Sequence, residues 1–173
     1  MRFARVLGLL VAFLLLGGCS SPQKALEAKD IDFTFSCKMD VSCSGENYVC
    51  AFERAGRKDA SVEILSGKGQ GLKWYWNGGG FCQSYRGLSA ESETCTLPDG
   101  AFAAEVVKAL DCAESPNALE KMPDNTFSGT MSGCGFTLTA DGGTGRLQTL
   151  AVPDWSITVR FHDFREPVLK SNL

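Results

Sequence analysis

The sequence has no hydrophobic run long enough to cross a lipid bilayer, and it has little of the chemistry that most enzymes use. Its longest apolar run, Val6 to Leu16, has 11 residues, whereas a membrane-spanning helix needs about 20. His162 is the only histidine, and it falls on the polar face of a predicted strand near the end of the chain. Cys-x-x-Cys pairs, phosphate-binding loops and Gly-x-Ser-x-Gly turns are missing. These absences argue against an enzyme and against a bound metal or cofactor.

The start of the chain has the features of a bacterial lipoprotein signal. Arg2 and Arg5 precede the apolar run, and Leu16 to Cys19 (Leu-Gly-Gly-Cys) has the order of a lipobox. We therefore predict that residues 1–18 are removed and that Cys19 becomes a diacylglyceryl cysteine. Two acyl chains are enough for stable membrane anchoring. An ordinary cleaved signal or an uncleaved anchor is the alternative.

The remaining 155 of the 173 residues have the length of one domain and no basic patch. Without Arg2 and Arg5, 15 basic residues stand against 20 acidic ones, a formal charge of −5. This charge argues against nucleic acid and against electrostatic attraction to anionic lipid headgroups. We divide the chain into a lipidated tether (19–30), a single domain (31–165) and a tail (166–173), and we expect a monomer.

Alternation of apolar and polar residues predicts about nine strands. The cleanest pattern, Ile31 to Met39, has period two over its whole length, which is typical of a strand with one buried face. Asn77 to Gly80 is a strong hairpin signal. Two polar stretches, Ser89 to Thr96 and Ser115 to Asn125, are predicted to be loops. Links of hairpin length indicate antiparallel neighbours.

One helix is predicted in the middle of the chain. Pro98-Asp99-Gly100 would begin it, with Asp99 as the N-cap, and Phe102, Val106 and Leu110 recur at helical spacing up to about Cys112. Because a single short helix cannot cover nine flat strands, the sheet must curl around it. The predicted fold class is α+β, a curved antiparallel β half-barrel with the helix packed in its concave face.

Cysteines other than Cys19 number seven, and export would place them where disulfides form. An odd number leaves at least one thiol free or paired between molecules. We predict three pairs that leave Cys43 over, in a turn. The pairs are Cys37–Cys50, Cys82–Cys95 and Cys112–Cys134. If the organism lives without oxygen, a reduced cluster of buried cysteines is the alternative.

Several phrases of the sequence resemble the LolA/LolB-like group of lipoprotein carriers and related bacterial lipoproteins. They are Gly71-Leu72 before a Trp-rich strand, Tyr85-Arg86-Gly87-Leu88, and Phe136 to Thr139 leading into Asp141. The resemblance implies a half-barrel whose interior accepts acyl chains, although the many cysteines depart from the carrier pattern.

The end of the strand-rich region bears on location. Val159 to Phe164 is similar to small lipoproteins of Gram-positive anaerobes in the same group, which favours the outer face of the cell membrane. Ser20 rather than Asp follows Cys19, which in a bacterium with two membranes would favour the outer membrane.

Aromatic residues on two predicted strands are the main candidates for a binding site. Trp74, Trp76, Phe81 and Tyr85 would line the mouth of an apolar cavity, and simple core packing is the alternative. Further candidate lining residues are Phe33, Phe35, Phe136 and Phe161. The leading hypothesis is a lipoprotein that binds or carries a lipid or other apolar ligand. The second is a non-enzymatic structural or interaction lipoprotein with a filled core and no ligand.

Overall fold

A computed structural model describes residues 25–165, which contain eleven β-strands and one α-helix. The helix, α1, spans Phe102–Ala113, and single 3₁₀ turns lie at Ala28–Asp30 and Pro153–Trp155. The strands are β1 (Phe35–Cys43), β2 (Glu46–Gly56), β3 (Asp59–Ser66), β4 (Lys73–Asn77), β5 (Phe81–Tyr85), β6 (Leu88–Ser92), β7 (Glu120–Lys121), β8 (Thr126–Met131), β9 (Cys134–Ala140), β10 (Leu147–Val152) and β11 (Ile157–Arg165). The predicted signal peptide, Cys19, the first part of the tether and the tail lie outside the described residues.

All the named strands belong to one open sheet, and each pairs with its neighbours in antiparallel fashion. The order across the sheet is β6-β5-β4-β3-β2-β1-β11-β10-β9-β8-β7. Two meanders are therefore joined where the first strand meets the last, with Met39 opposite Phe161. The prediction of an antiparallel sheet with one helix is confirmed.

The strand count was predicted as nine, and the structure has eleven in its described part. The two unforeseen strands, β6 and β7, lie in the polar stretches predicted to be loops, and they form the two edges of the sheet. β6 is exposed along most of its length and β7 has only two residues. Neither has a buried apolar face, because Leu88 and Ala90 of β6 are exposed and β7 is too short for a pattern, so hydrogen bonding to one neighbour makes them strands.

The chain also enters its first strand and its helix later than predicted. Ile31 is buried but precedes β1, and Asp32 instead forms a single parallel bridge with Arg146. Helix α1 begins at Phe102 with Ala101 in the N-cap position. The carboxylate of Asp99, the predicted cap, instead lies 3.6 Å from the ammonium of Lys108.

The folded body includes part of the segment predicted to be a tether. Leu26 is buried among the core residues, and the Lys121 ammonium donates a hydrogen bond to its carbonyl oxygen. Leu26 therefore lies against β7 as part of the folded domain.

Helix α1 contacts strands that are far apart in the sheet order. The Phe102 ring lies 5.8 Å from that of Trp74 on β4, and the Cys112 thiol donates to the Thr130 carbonyl on β8 at 3.2 Å. Six strands separate β4 from β8, a distance of about 34 Å in a flat sheet. A 12-residue helix is only about 18 Å long. These contacts are consistent with a sheet that curves around the helix.

Candidate functional site

The four aromatic residues predicted to form a site share the inner face of β4 and β5. Trp76 lies opposite Phe81, with ring centroids 5.3 Å apart, and Trp74 lies edge-on to Phe102 of the helix. Trp74 and Phe81 are buried, whereas Trp76 and Tyr85 are half-buried at opposite ends of the two strands. The structure therefore brings Trp76 and Phe81 into contact and separates them from Tyr85.

Three other predicted lining residues belong to the packed interior. Phe35 and Phe161 contact each other at 5.9 Å, and Phe35 also contacts Phe52. Phe136 is buried with its ring against the backbone of Gly129, where a side chain would clash. With Trp74 and Phe81, five of the eight predicted residues are thus core, so only Trp76, Tyr85 and Phe33 remain near solvent.

An open cleft lies between the turn that joins β4 to β5 and the helix. We call it the Trp76 cleft; its volume is about 350 Å³, and Trp76, Ala104 and Val107 supply its apolar walls. The turn, Gly78 to Gly80, contributes backbone without side chains. Gly78 has φ +80°, a conformation that glycine adopts without strain. The bare turn leaves the indole of Trp76 accessible from one side.

Charged residues line the rim of the Trp76 cleft. The Lys108 ammonium lies 2.9 Å from the Glu105 carboxylate, which is itself buried. Burial favours the neutral amine, but the hydrogen bond and the charge of Glu105 outweigh it, so the pKa of Lys108 is raised. Asp111, about one turn further along the same helix, accepts hydrogen bonds from the Lys58 backbone amide. The rim is polar and the walls are apolar, an arrangement that suits a ligand with an apolar body.

A second cleft, of about 690 Å³, lies at the end of the helix, where the chain enters the fold. We call it the Phe33 cleft. Its apolar lining residues are Ala28, Ile31, Phe33, Ala113 and Leu119. Asp32, Glu114 and Asn117 also line it, so this cleft has polar groups among its apolar ones. Of the eight predicted residues, Phe33 alone lies here.

The two clefts are connected by a buried arginine that the sequence reasoning missed. Arg54 is fully buried and donates hydrogen bonds to Asp111 at 2.9 Å, to Glu114 at 2.6 Å and to the Phe33 carbonyl at 2.6 Å. Its Nε has no partner among the described atoms. Asp111 borders the Trp76 cleft, while Phe33 and Glu114 border the other. Alternation through Tyr48, Cys50 and Phe52 could have indicated that Arg54 points inward, because it continues the same face.

The predicted disulfides are absent, and all seven cysteines of the described part are free thiols. Cys37 lies opposite Phe52 and Cys50 lies opposite Met39, so the first predicted pair is two residues out of register on adjacent strands. Both thiols are buried in the core, and burial raises the pKa of each to about 12.

The other predicted pairs are also unbonded. Cys82 lies on the face of β5 opposite to that of Phe81, while Cys95 lines the Trp76 cleft on the inner side. Cys112 donates to the Thr130 carbonyl, and Cys134 lies at the start of β9. Cys43, the predicted leftover, is half-buried at the end of β1.

The only histidine of the chain lies near the surface of the domain. His162 Nε2 lies 3.2 Å from the Asp40 carboxylate on the outer face of the sheet, in a partly exposed pair. Residues 25–165 contain no group of three or more His, Cys, Asp or Glu side chains that could hold a metal ion. No helix in that range has the length and apolar character needed to cross a membrane.

Comparison with known proteins returns no match, either among protein-family models or among curated proteins.

Proposed function

We propose that this chain is a membrane-anchored extracytoplasmic lipoprotein that binds a lipid or other apolar ligand, and that the Trp76 cleft is the binding site. The observation that carries the proposal is an accessible indole beside the apolar side chains of Ala104 and Val107. In this interpretation the curved sheet and the helix are the half-barrel that the resemblance to LolA/LolB-like proteins implies. The folded body includes Leu26, six residues after Ser20 in the chain, which would keep the domain close to a membrane that holds Cys19.

Binding at this cleft would depend on removal of apolar surface from water. Each Å² of apolar surface that the ligand and the walls bury contributes about 25 cal/mol. A volume of about 350 Å³ is at the small end of ligand sites in proteins, so one apolar group would enter rather than a whole diacyl lipid. The charged rim would face the polar end of the ligand.

A second candidate function is a structural or interaction lipoprotein that holds no ligand. It is favoured by the burial of five predicted lining residues, which fill the space between sheet and helix. In that case the core serves stability alone, and contact with a partner takes place on the outside of the domain.

The anchor is tested by replacing the lipidated residue. In cells fed radiolabelled palmitate, Cys19→Ala is expected to abolish labelling, because the thioether to diacylglycerol needs the thiol. The precursor should also become insensitive to globomycin. Cys95→Ala is the matched control, since it removes an exposed thiol of the folded domain. Continued labelling of the Cys19→Ala chain would contradict the proposed anchor.

The ligand site is tested with an apolar fluorescent dye and by native mass spectrometry of the full chain in detergent. We expect Trp76→Ser to weaken dye binding about tenfold, or about 1.4 kcal/mol, because the largest apolar wall is lost. Tyr75→Ser is the matched control, since Tyr75 is the neighbouring aromatic residue on the opposite face of β4.

Two results would contradict this assignment. If Phe33→Ser weakens binding and Trp76→Ser does not, the ligand lies in the Phe33 cleft. If the wild-type chain binds no dye and carries no co-purified lipid, the proposed ligand binding is wrong and the second candidate function is favoured.

A further inference from the structure

The two edges of the sheet differ in how well they are protected against pairing with another chain. β7 has two residues, includes Lys121 and is soon followed by Pro123, which are common protections of an edge strand. β6 has five residues, no lysine and no proline, and a regular register with β5 over its whole length. Among the described residues β5 is its only neighbouring strand. β6 is therefore the open edge of this sheet.

The hairpin geometry determines which backbone groups of β6 point outward. Arg86 and Gly87 both have positive φ, at 50° and 82°, as in a type I′ turn of two residues. Residues that flank such a turn form a hydrogen-bonded pair, here Tyr85 with Leu88, and the pairs then alternate. Ala90 consequently bonds to β5, while the N–H and C=O groups of Ser89 and Glu91 project away from the sheet.

The side chains beside this edge add apolar surface and negative charge. Leu88 is 76% exposed, the most exposed large hydrophobic residue of the described chain. With Leu72, Tyr85 and Ala90 it lines a shallow groove of about 230 Å³ on the inner face. The strand itself carries one charged residue, Glu91, and the Arg86 guanidinium of the adjoining turn lies 5.0 Å over the Tyr85 ring.

We propose that β6 docks an extended, basic segment of a partner protein as an added antiparallel strand. Only an extended backbone presents donors and acceptors at the spacing of Ser89 and Glu91, and main-chain hydrogen bonds supply affinity in this mode of recognition. An apolar side chain of the partner would enter the Leu88 groove, and a basic one would face Glu91. This surface is separate from the Trp76 cleft and does not rest on the proposed function.

Charge distinguishes this partner from a second copy of the chain. Two β6 strands paired around Ala90 would bring the Glu91 carboxylates of both copies to a diagonal separation of about 7–8 Å on the same face. Like charges at this separation oppose pairing, whereas a basic segment is attracted.

The probe for this site is a capped heptapeptide of alternating Lys and Val, added to the full chain in detergent. Binding is expected to protect the amides of Ser89 and Glu91 from hydrogen exchange, while the Ala90 amide is already protected by β5. Ser89→Pro removes one outward N–H without removing a bond to β5, and we expect it to weaken binding at least about tenfold. Ser89→Ala, which keeps the backbone, is the matched control.

The charge of the partner is tested by exchange. Glu91→Lys is expected to weaken the Lys-Val peptide and to strengthen the corresponding Glu-Val peptide. Equal binding of a peptide N-methylated at its inward-facing amides would overturn the proposal, as would no binding at all. A dimer in sedimentation that Ser89→Pro dissociates would identify a second copy as the occupant. Protection of the Ser89 and Glu91 amides from exchange in the free monomer would show that a segment of this chain already covers the edge. Both the dimer and this protection would overturn the proposal.

Discussion

Replacing Arg54 with alanine is expected to lower the free energy of unfolding by about 3 kcal/mol, at the lower end of the range for a broken buried ion pair. Arg54 is fully buried and binds Asp111, Glu114 and the Phe33 carbonyl. Its removal leaves two carboxylates and a carbonyl without their donor. The carboxylates retain 20% and 32% exposure, so water relieves part of the cost. Urea denaturation of the full chain measures the change.

The matched control for Arg54 is a surface ion pair of similar geometry. Lys38 lies 3.0 Å from Asp163, and both side chains are about half exposed. Their hydrogen bond lowers the pKa of Asp163, yet Lys38→Ala is expected to leave the urea midpoint nearly unchanged, because solvent screens the pair. Equal costs for the two variants would show that the Arg54 network contributes no more than a surface contact.

Gly145→Ala is the second substitution for which we expect a large effect. Gly145 has φ +71°, and an added Cβ would collide with the backbone carbonyl of Asp30. Because this oxygen belongs to the main chain, it can move only if the segment shifts and breaks the bond from the Asp32 amide to the Gly145 carbonyl. Backbone strain costs about 1–2 kcal/mol, and the collision adds about 1–3 kcal/mol.

Gly133→Ala separates the two contributions to that effect. Gly133 has a similar φ of +85° in the turn between β8 and β9, but an added Cβ would meet nothing within 4 Å. We expect Gly133→Ala to show the strain alone, and Gly145→Ala to show strain plus faster hydrogen exchange at Asp32. If both variants lose the same stability, the contact between Gly145 and Asp30 does not hold the N-terminal segment in place.

Strands with one buried face could be predicted because their burial repeats every second residue. Cys37 and Met39 on β1 are examples, and so are Ile157 and Val159 on β11. The edge strands could not be predicted in this way, since β6 is exposed on both faces and is a strand because it pairs with β5. The predicted N-cap, Asp99, was also wrong because of a contact outside the local sequence pattern. The Asp99 carboxylate pairs with Lys108, about two turns along the helix.

The sequence predicted that aromatic residues would line the candidate site, but it did not predict which of them would be open to solvent. A stripe of aromatic residues in the sequence does not distinguish a packed core from an open wall, because both need apolar side chains on one face. Packing against Phe102 buries Trp74, whereas the bare turn at Gly78 leaves Trp76 accessible. Arg54 was overlooked because its partners, Asp111 and Glu114, lie more than 50 residues along the chain.

By itself the sequence determined the antiparallel pairing and the inner and outer faces of the main strands, because these follow from hairpin-length links and period-two alternation. Only the tertiary structure decided which inner residues meet solvent, that the seven cysteines of the described part are unbonded, and which sheet edge stays open. These properties depend on the register between strands and on where one short helix lies across them. The strand register and the position of the helix both depend on contacts between residues far apart in the chain, so no local sequence pattern predicts them.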